Sequence, residues 1–164
     1  MNMRISGLVN DSIVDGPGFR FAVFTQGCPH MCPGCHNPQT HDFGGGRDMD
    51  TSEIAEKFLA NPLLDGITLT GGEPFRQPEA CRVLAEAARE AGLNVWAYSG
   101  YTYEEIQRNP AMRALLSKVD VLVDGRFVLA ERSLSLRFRG SRNQRLIDVP
   151  KSLESGTVVQ LPDK

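Results

Sequence analysis

Much that would narrow a function is missing from this chain of 164 residues. No apolar run approaches the length needed to span a bilayer, and the first residues, Met1-Asn-Met-Arg-Ile-Ser6, lack the apolar core of a secretory signal. A cytoplasmic, reducing setting is therefore expected, in which thiolates stay available for metal. Low-complexity tracts and internal repeats are absent, so the length points to one domain, 1–164, able to bury roughly two thirds of its unfolded surface. Strong charge of either sign is also lacking: 18 Lys and Arg against 20 Asp and Glu leave a net charge of −2 and a pI near 5.9. With no basic excess, neither nucleic acid nor a membrane is expected as a partner. Phosphate-binding glycine loops are excluded as well, because Gly71-Gly72 runs into Glu-Pro rather than the lysine or glycine spacing such loops need.

What is present is a run of thiols. Three of the four cysteines fall within eight residues, Cys28-Pro-His-Met-Cys32-Pro-Gly-Cys35. Thiolates so close repel one another and need a cation to hold them. Disulfides fit poorly, since an odd cluster leaves one thiol over. A structural zinc site completed by His30 or His36 is one reading, although zinc sites usually take two separated pairs of ligands and no second pair exists here. An iron–sulfur cluster is the other; three thiolates on a four-iron cluster would leave one iron open to a small molecule. On spacing alone both stay open.

Along the chain, Asn10–Gly18 is turn chemistry leading into a strand over Phe19–Gln26 that ends at the cysteines. A polar loop follows, with His36, Asn37 and Gly44-Gly45-Gly46. Asp50-Thr-Ser-Glu53 has capping-box spacing and opens a helix carrying Ile54, Phe58 and Leu59. Asp65–Thr70 reads as a second strand ending in Gly71-Gly72-Glu73-Pro74. A helix from Pro78 to Gly92 bears Val83, Leu84, Ala87 and Ala88, with Cys81 as an ordinary small core residue. Leu93–Tyr98 is a third strand ending at Ser99-Gly100, and Thr102-Tyr-Glu-Glu105 caps a helical segment that Pro110 breaks or restarts. Val119–Val123 is a fourth strand, ending at Asp124-Gly125-Arg126-Phe127. Beyond it, Leu134, Leu136 and Phe138 alternate with polar residues as a strand would, and Gly156–Leu161 is a further candidate strand. Six arginines and one acid between Arg126 and Arg145 give that stretch a local charge of +5, either a solvated face or a hold on an anionic partner.

The alternation of strand and helix implies parallel strands with right-handed crossovers, hence strand ends gathered along one rim. The cysteines, Gly71-Gly72-Glu73, Ser99-Gly100 and Asp124-Gly125-Arg126 all fall on that rim, where α/β enzymes assemble sites. There a glycine pair would let a ligand approach the backbone, and Glu73 could accept hydrogen bonds from a ligand's ammonium group.

At this point the chain resembles a known family. C-x3-C-x2-C followed by a strand ending in Gly-Gly-Glu-Pro is similar to the radical S-adenosylmethionine enzymes. Asp15-Gly-Pro-Gly-Phe-Arg20, Thr25-Gln-Gly-Cys-Pro29, Cys32-Pro-Gly-Cys-His-Asn37, Asp124-Gly-Arg-Phe127 and Gly140-Ser-Arg-Asn-Gln-Arg145 narrow the resemblance to the glycyl-radical-activating members that serve anaerobic ribonucleotide reductases. It covers about residues 4–150. The resemblance implies a single α/β domain built as a partial, open (β/α) barrel; a closed barrel needs about 250 residues. It implies a [4Fe-4S] cluster held by Cys28, Cys32 and Cys35, with the open iron chelated by the amino and carboxylate groups of S-adenosylmethionine. Reductive cleavage would then yield a 5′-deoxyadenosyl radical that takes hydrogen from a glycine of the reductase. It also implies that Gly71, Gly72 and Glu73 meet the ligand's amino group, that Ser99 meets its carboxylate or ribose, and that Asp124 makes a weaker contact. Many members carry an aromatic residue just before the third cysteine, packed on the adenine; Gly34 stands there here, which makes His36 the candidate. The implied partners are the catalytic subunit of anaerobic ribonucleotide reductase, as protein substrate, and a low-potential electron donor such as flavodoxin. Activation of another glycyl-radical enzyme and a zinc-binding interaction module remain the alternatives.

Overall fold

Short β-branched and aromatic runs in this chain form strands, and the longer stretches between them, opened by Asp, Asn, Thr or Pro, form helices. A computed structural model describes residues 1–30, 32–35 and 37–162. Its strands are β1 (Asn2–Ser12), β2 (Arg20–Thr25), β3 (Arg47–Asp50), β4 (Gly66–Gly71), β5 (Asn94–Tyr98), β6 (Val121–Asp124) and β7 (Arg145–Asp148). They make one seven-stranded sheet in the order β3-β1-β2-β4-β5-β6-β7. The four expected strands, β2, β4, β5 and β6, are adjacent and parallel. Antiparallel strands extend both sides: β1 and β3 beside β2, and β7 beside β6. The sheet is open, with β3 and β7 at its edges.

Helices α1 (Thr51–Leu59), α2 (Pro78–Glu90), α3 (Tyr103–Gln107) and α4 (Pro110–Leu116) fall between the strands, and α5 (Val149–Ser155) follows β7. Asp50 caps α1 by accepting from the Ser52 amide. At Thr102 the expected capping box is closed in both directions. Pro110 restarts the chain as the first residue of α4, with Asn109 accepting from two amides ahead of it.

Two expectations are corrected. Residues 134–139 form no strand; they lie in a loop between β6 and β7, touched by one isolated bridge, Arg132 to Ser141. The reason is that the alternation has no continuous buried face to serve, although Phe138 itself packs on Trp96. Leu134 is 90% exposed, and Phe138 is turned at φ 64°. Side chains replace a ladder there, with the Gln144 amide oxygen accepting from the Gly140 and Ser141 amides. The tail beyond Gly156 is a single bridge, Ile147 to Gln160, rather than a full strand.

Strand alternation divides the molecule into two faces. Phe21, Val23, Ile67, Leu69, Val95, Ala97, Leu122 and Ile147 point to the helices, where they join Ile54, Phe58, Leu84 and Leu115 in the main core. On the other face Trp96, Val123 and Leu146 form a small cluster with Tyr98 and Phe138. Arg20 is wholly buried on that face. Its Nε donates to Thr68 Oγ1 at 2.7 Å, Nη2 to the Ile67 carbonyl at 2.7 Å and Nη1 to the Pro17 carbonyl at 3.1 Å, beneath the Trp96 ring at 5.7 Å. Burial pushes its pKa down to about 10. The planar fork thus ties the Asp15–Gly18 turn to two strands. Arg20→Lys keeps the charge but cannot span three oxygens, and is expected to cost about 2 kcal/mol in urea unfolding. A lysine variant as stable as the parent would show that charge alone matters there.

Candidate cluster and ligand site

The cysteine loop leaves β2 at Gln26 and is fastened where it starts and ends. The Gly27 amide donates to the Thr40 carbonyl (2.7 Å) and the Cys28 amide to the His41 carbonyl (3.1 Å), while the Gln26 side chain reaches the Gln39 and Asp42 carbonyls. The next strand end is drawn against it: the Gly72 amide donates to the Thr25 carbonyl (2.8 Å) and the Glu73 amide to the Gly27 carbonyl (2.9 Å). This contact explains the glycine pair. A Cβ at Gly71, where φ is +94°, would lie 2.6 Å from the Thr25 amide nitrogen, and one at Gly72 2.5 Å from the Gly27 oxygen. The pair is required first for packing between two strand ends, a reason that composition did not reveal.

Cys28, Cys32 and Cys35 open onto one cavity of about 500 Å³. Its floor is the non-helical face of the sheet, Thr70, Tyr98 and Val123; its rim is Gly71, Gly72, Ser99, Gly100 and Gly125; the loop after β6 closes it with Phe127, Phe138 and Arg139. The Asn37 amide donates to Cys35 Sγ at 3.4 Å, the kind of contact that adjusts the potential of a sulfur-bound metal. His41 also lines the cavity, and its Nε2 is buried without a hydrogen-bond partner among the described residues. Burial pushes the Tyr98 phenol well up, so the floor stays uncharged. Among the described residues, no three Cys, His, Asp or Glu side chains are drawn close enough to hold a single ion.

Glu73 is not on the cavity wall. Its carboxylate is fully buried and accepts from the Phe75 amide (3.0 Å), the Gly100 amide (2.7 Å), the Ser99 hydroxyl (2.9 and 3.0 Å) and His30 Nε2 (2.7 Å). Arg126 Nε in turn donates to His30 Nδ1 at 3.1 Å, which fixes the ring with its proton on Nε2. His30 is further packed edge-on against Tyr101, at 4.6 Å between centroids. Glu73 therefore acts as a buried hub that joins the cysteine loop, the end of β4 and the end of β5, while Ser99 and His30 face the cavity. Asp124 is placed differently from the expectation of a ligand contact. It lies outside the cavity lining and is spent on the Tyr103 amide (2.7 Å) and on two bonds from Arg145 (3.0 and 2.6 Å). The bonds to Asp124, and then those to Glu104, raise the Arg145 pKa, and the bond from Arg145 lowers that of Glu104. His36 lies outside the described residues.

Cys81, on the buried face of α2, sits in the main core, with its thiol pushed up by burial and by the nearby Glu73 charge, as an ordinary core residue should be. The arginine-rich stretch divides: Arg139 and Arg145 are turned inward, while Arg132, Arg137 and Arg142 are exposed. Sequence reasoning missed His41, Phe127 and Phe138 as wall residues and treated His30 only as a possible zinc ligand. Its position between two cysteines was the available signal for His30; the others are joined to the site only by tertiary packing.

A family model described as a 4Fe-4S single cluster domain matches residues 14–147. The anaerobic ribonucleoside-triphosphate reductase-activating protein of Salmonella typhi is 37% identical over 142 residues, covering 80% of this chain and 90% of that one. The protein of the same name from Escherichia coli K12 is 35% identical with the same coverage, and that of Enterobacteria phage T4 is 35% identical over 141 residues, covering 81% and 86%. Among solved structures, QueE from Escherichia coli shares the fold, with a TM-score of 0.51 at 12% identity over 76% of this chain and 70% of that one. The strand-end cavity with its three cysteines thus sits in a chain that belongs to the family of anaerobic ribonucleoside-triphosphate reductase-activating proteins, enzymes built on a 4Fe-4S single cluster domain.

Proposed function

We propose that the whole chain acts as one radical S-adenosylmethionine domain, in which Cys28, Cys32 and Cys35 hold a [4Fe-4S] cluster beside bound S-adenosylmethionine. The observation that carries this reading is the shared cavity: three thiols, two glycine turns and the Ser99 hydroxyl around a space of about 500 Å³, near the lower end of the range for small-molecule sites. The residues fit the group. Thiols from a single loop suit a sulfur-bound iron cluster, the buried Nε2 of His41 is an unspent polar atom at the same wall, and Gly72 and Gly100 keep the rim free of side chains. When bound and reduced, the cluster would supply one electron to the sulfonium, breaking its carbon–sulfur bond to give methionine and a radical that takes hydrogen from a glycine Cα of the reductase.

This chain's residues bind and orient. The backbone at Gly71 and Gly72 and the Ser99 hydroxyl meet the amino-acid end of the ligand. Glu73, already spent on four donors, contributes by fixing Ser99 and His30 or by exchanging the His30 bond for the ligand's ammonium. The open side of the sheet admits a glycine loop of the reductase catalytic subunit, for which the exposed Arg132, Arg137 and Arg142 offer a basic docking edge. A low-potential donor such as flavodoxin supplies the electron. Anaerobic reconstitution tests this: the loaded protein with a strong reductant should cleave S-adenosylmethionine to 5′-deoxyadenosine and raise a glycyl-radical signal on the reductase. A colourless, zinc-containing protein that leaves S-adenosylmethionine intact would sink it.

A further inference from the structure

His30 stands two residues after Cys28 and two before Cys32, at the middle of the arc that joins the first two thiols. The arc is held at its ends by the backbone, where the Cys28 amide donates to the His41 carbonyl and the Cys35 amide to the Cys32 carbonyl, both at 3.1 Å. Its middle is held by the His30 side chain, which is only 3% exposed. Nε2 donates to Glu73 Oε1 at 2.7 Å, Nδ1 accepts from Arg126 Nε at 3.1 Å, and the ring lies edge-on to Tyr101. Gly100 lies against the same ring: a Cβ there would be 2.6 Å from His30 Nε2 and 2.7 Å from Cγ, and closer still to Cδ2. Position 100 is thus glycine so that this ring can reach Glu73. With both nitrogens engaged, His30 has none left for a metal, which removes it from the cysteine–histidine zinc site that its spacing would allow.

We propose that His30 is a positioning residue for the metal thiolates: its ring, seated between Glu73, Arg126, Tyr101 and Gly100, fixes the arc from Cys28 to Cys32, and it stays seated when S-adenosylmethionine binds. The inference rests on the proposed cluster of Cys28, Cys32 and Cys35 and decides between the two uses of Glu73 offered there. If the ligand's ammonium took the His30 bond, the ring would have to leave a seat it fills and abandon its Arg126 donor, and the arc carrying two of the three thiols would move with it. A carboxylate that keeps His30 instead acts on the site from behind, through the placement of the thiols. The Arg126 link extends this to the loop after β6. The Arg126 carbonyl accepts from Asn143 Nδ2 at 2.8 Å, so the cysteine loop and the basic docking edge share one chain of bonds. Groups that hold metal-binding side chains in place without touching the metal bear on its retention by about 10–100-fold.

The test is anaerobic reconstitution of the whole chain and its variants, read by iron and sulfide content, by the electron paramagnetic resonance spectrum of the reduced cluster, and by the rate of iron loss to a chelator. Binding of S-adenosylmethionine is read from its effect on that spectrum. His30→Ala and Gly100→Ala should each speed iron loss about tenfold and alter the spectrum. The double variant should be no worse than His30→Ala, because the ring that a Cβ at position 100 would strike is gone. His30→Gln, whose amide can donate to Glu73, should bring iron loss back to within about threefold of the parent. Arg126→Ala, at an exposed side chain, should move both readouts the same way by a smaller amount, and it carries the test if His30→Ala does not fold. Parental retention and spectrum in these variants, additive effects in the double variant, or tighter S-adenosylmethionine binding by His30→Ala than by the parent overturns the assignment, the last because the ring would then be competing with the ligand. A parent chain that takes up zinc instead of an iron–sulfur cluster fails the proposed function, and this inference with it.

Discussion

Replacing Cys28, Cys32 or Cys35 singly with serine is expected to remove the iron from anaerobically purified protein, and with it all activation of the reductase. A serine hydroxyl stays protonated at neutral pH and cannot supply the anionic sulfur that iron–sulfur clusters require. Glu73, the carboxylate bonded to His30 of the loop, is already held by the Phe75 and Gly100 amides and the Ser99 hydroxyl. Cys81→Ser is the matching control. Its side chain is wholly enclosed in the main core, so the change should lower stability by about 1–2 kcal/mol while iron and acid-labile sulfide stay at parental levels. The measurements are iron and sulfide content, visible absorbance and thermal unfolding. A Cys35 variant that retains full iron, or a Cys81 variant that loses it, would reverse the assignment of ligand and core thiols.

Glu73→Gln should be nearly as disruptive by a different route. The carboxylate accepts from four donors and donates none, and it is fully buried. An amide of the same shape brings one acceptor oxygen and an NH2 that must face donors already in place. With the Gly100 and Phe75 amides fixed by the backbone, one of them or His30 is left unsatisfied, at about 3 kcal/mol. For a chain of this size that corresponds to a fall of roughly 6–12 °C in Tm. The variant should also release the cysteine loop from the ends of β4 and β5, seen as faster hydrogen exchange at Gly100 and Tyr101. Full stability with normal exchange would show that Glu73 is not a structural hub and restore it to ligand contact alone.

The four parallel strands were legible because each is a compact β-branched or aromatic run bounded by glycine, and because a helix with a recognisable start separates most of them. The thiol loop was legible because its residue types have few other uses. The antiparallel additions were not. β1 carries Gly7, Asn10 and Asp11 and has two irregularities in its register with β2, so no clean alternation marks it. β7 has only four residues, Arg145–Asp148, and owes its place to pairing with β6. At residues 134–139 the opposite happened: alternation was present without a neighbouring strand to pair with it. Within the site, residue identity pointed to Glu73 but not to its direction. Whether that carboxylate faces a ligand or its own backbone depends on His30 and Arg126, 43 and 53 positions away in the chain.

The division of the sheet into a helical face and a cavity face has a consequence for metal loss. Stability resides in the core under the helices, while the cysteine loop is closed on itself by bonds of Gly27 to Thr40 and Cys28 to His41 and is tied to the strand ends through Glu73. Oxidative destruction of the cluster should therefore open the loop as a local unit while the sheet persists. The protein left behind would be a folded scaffold ready for reloading, so repair after exposure to oxygen would require only iron, sulfide and reductant, without a new round of synthesis.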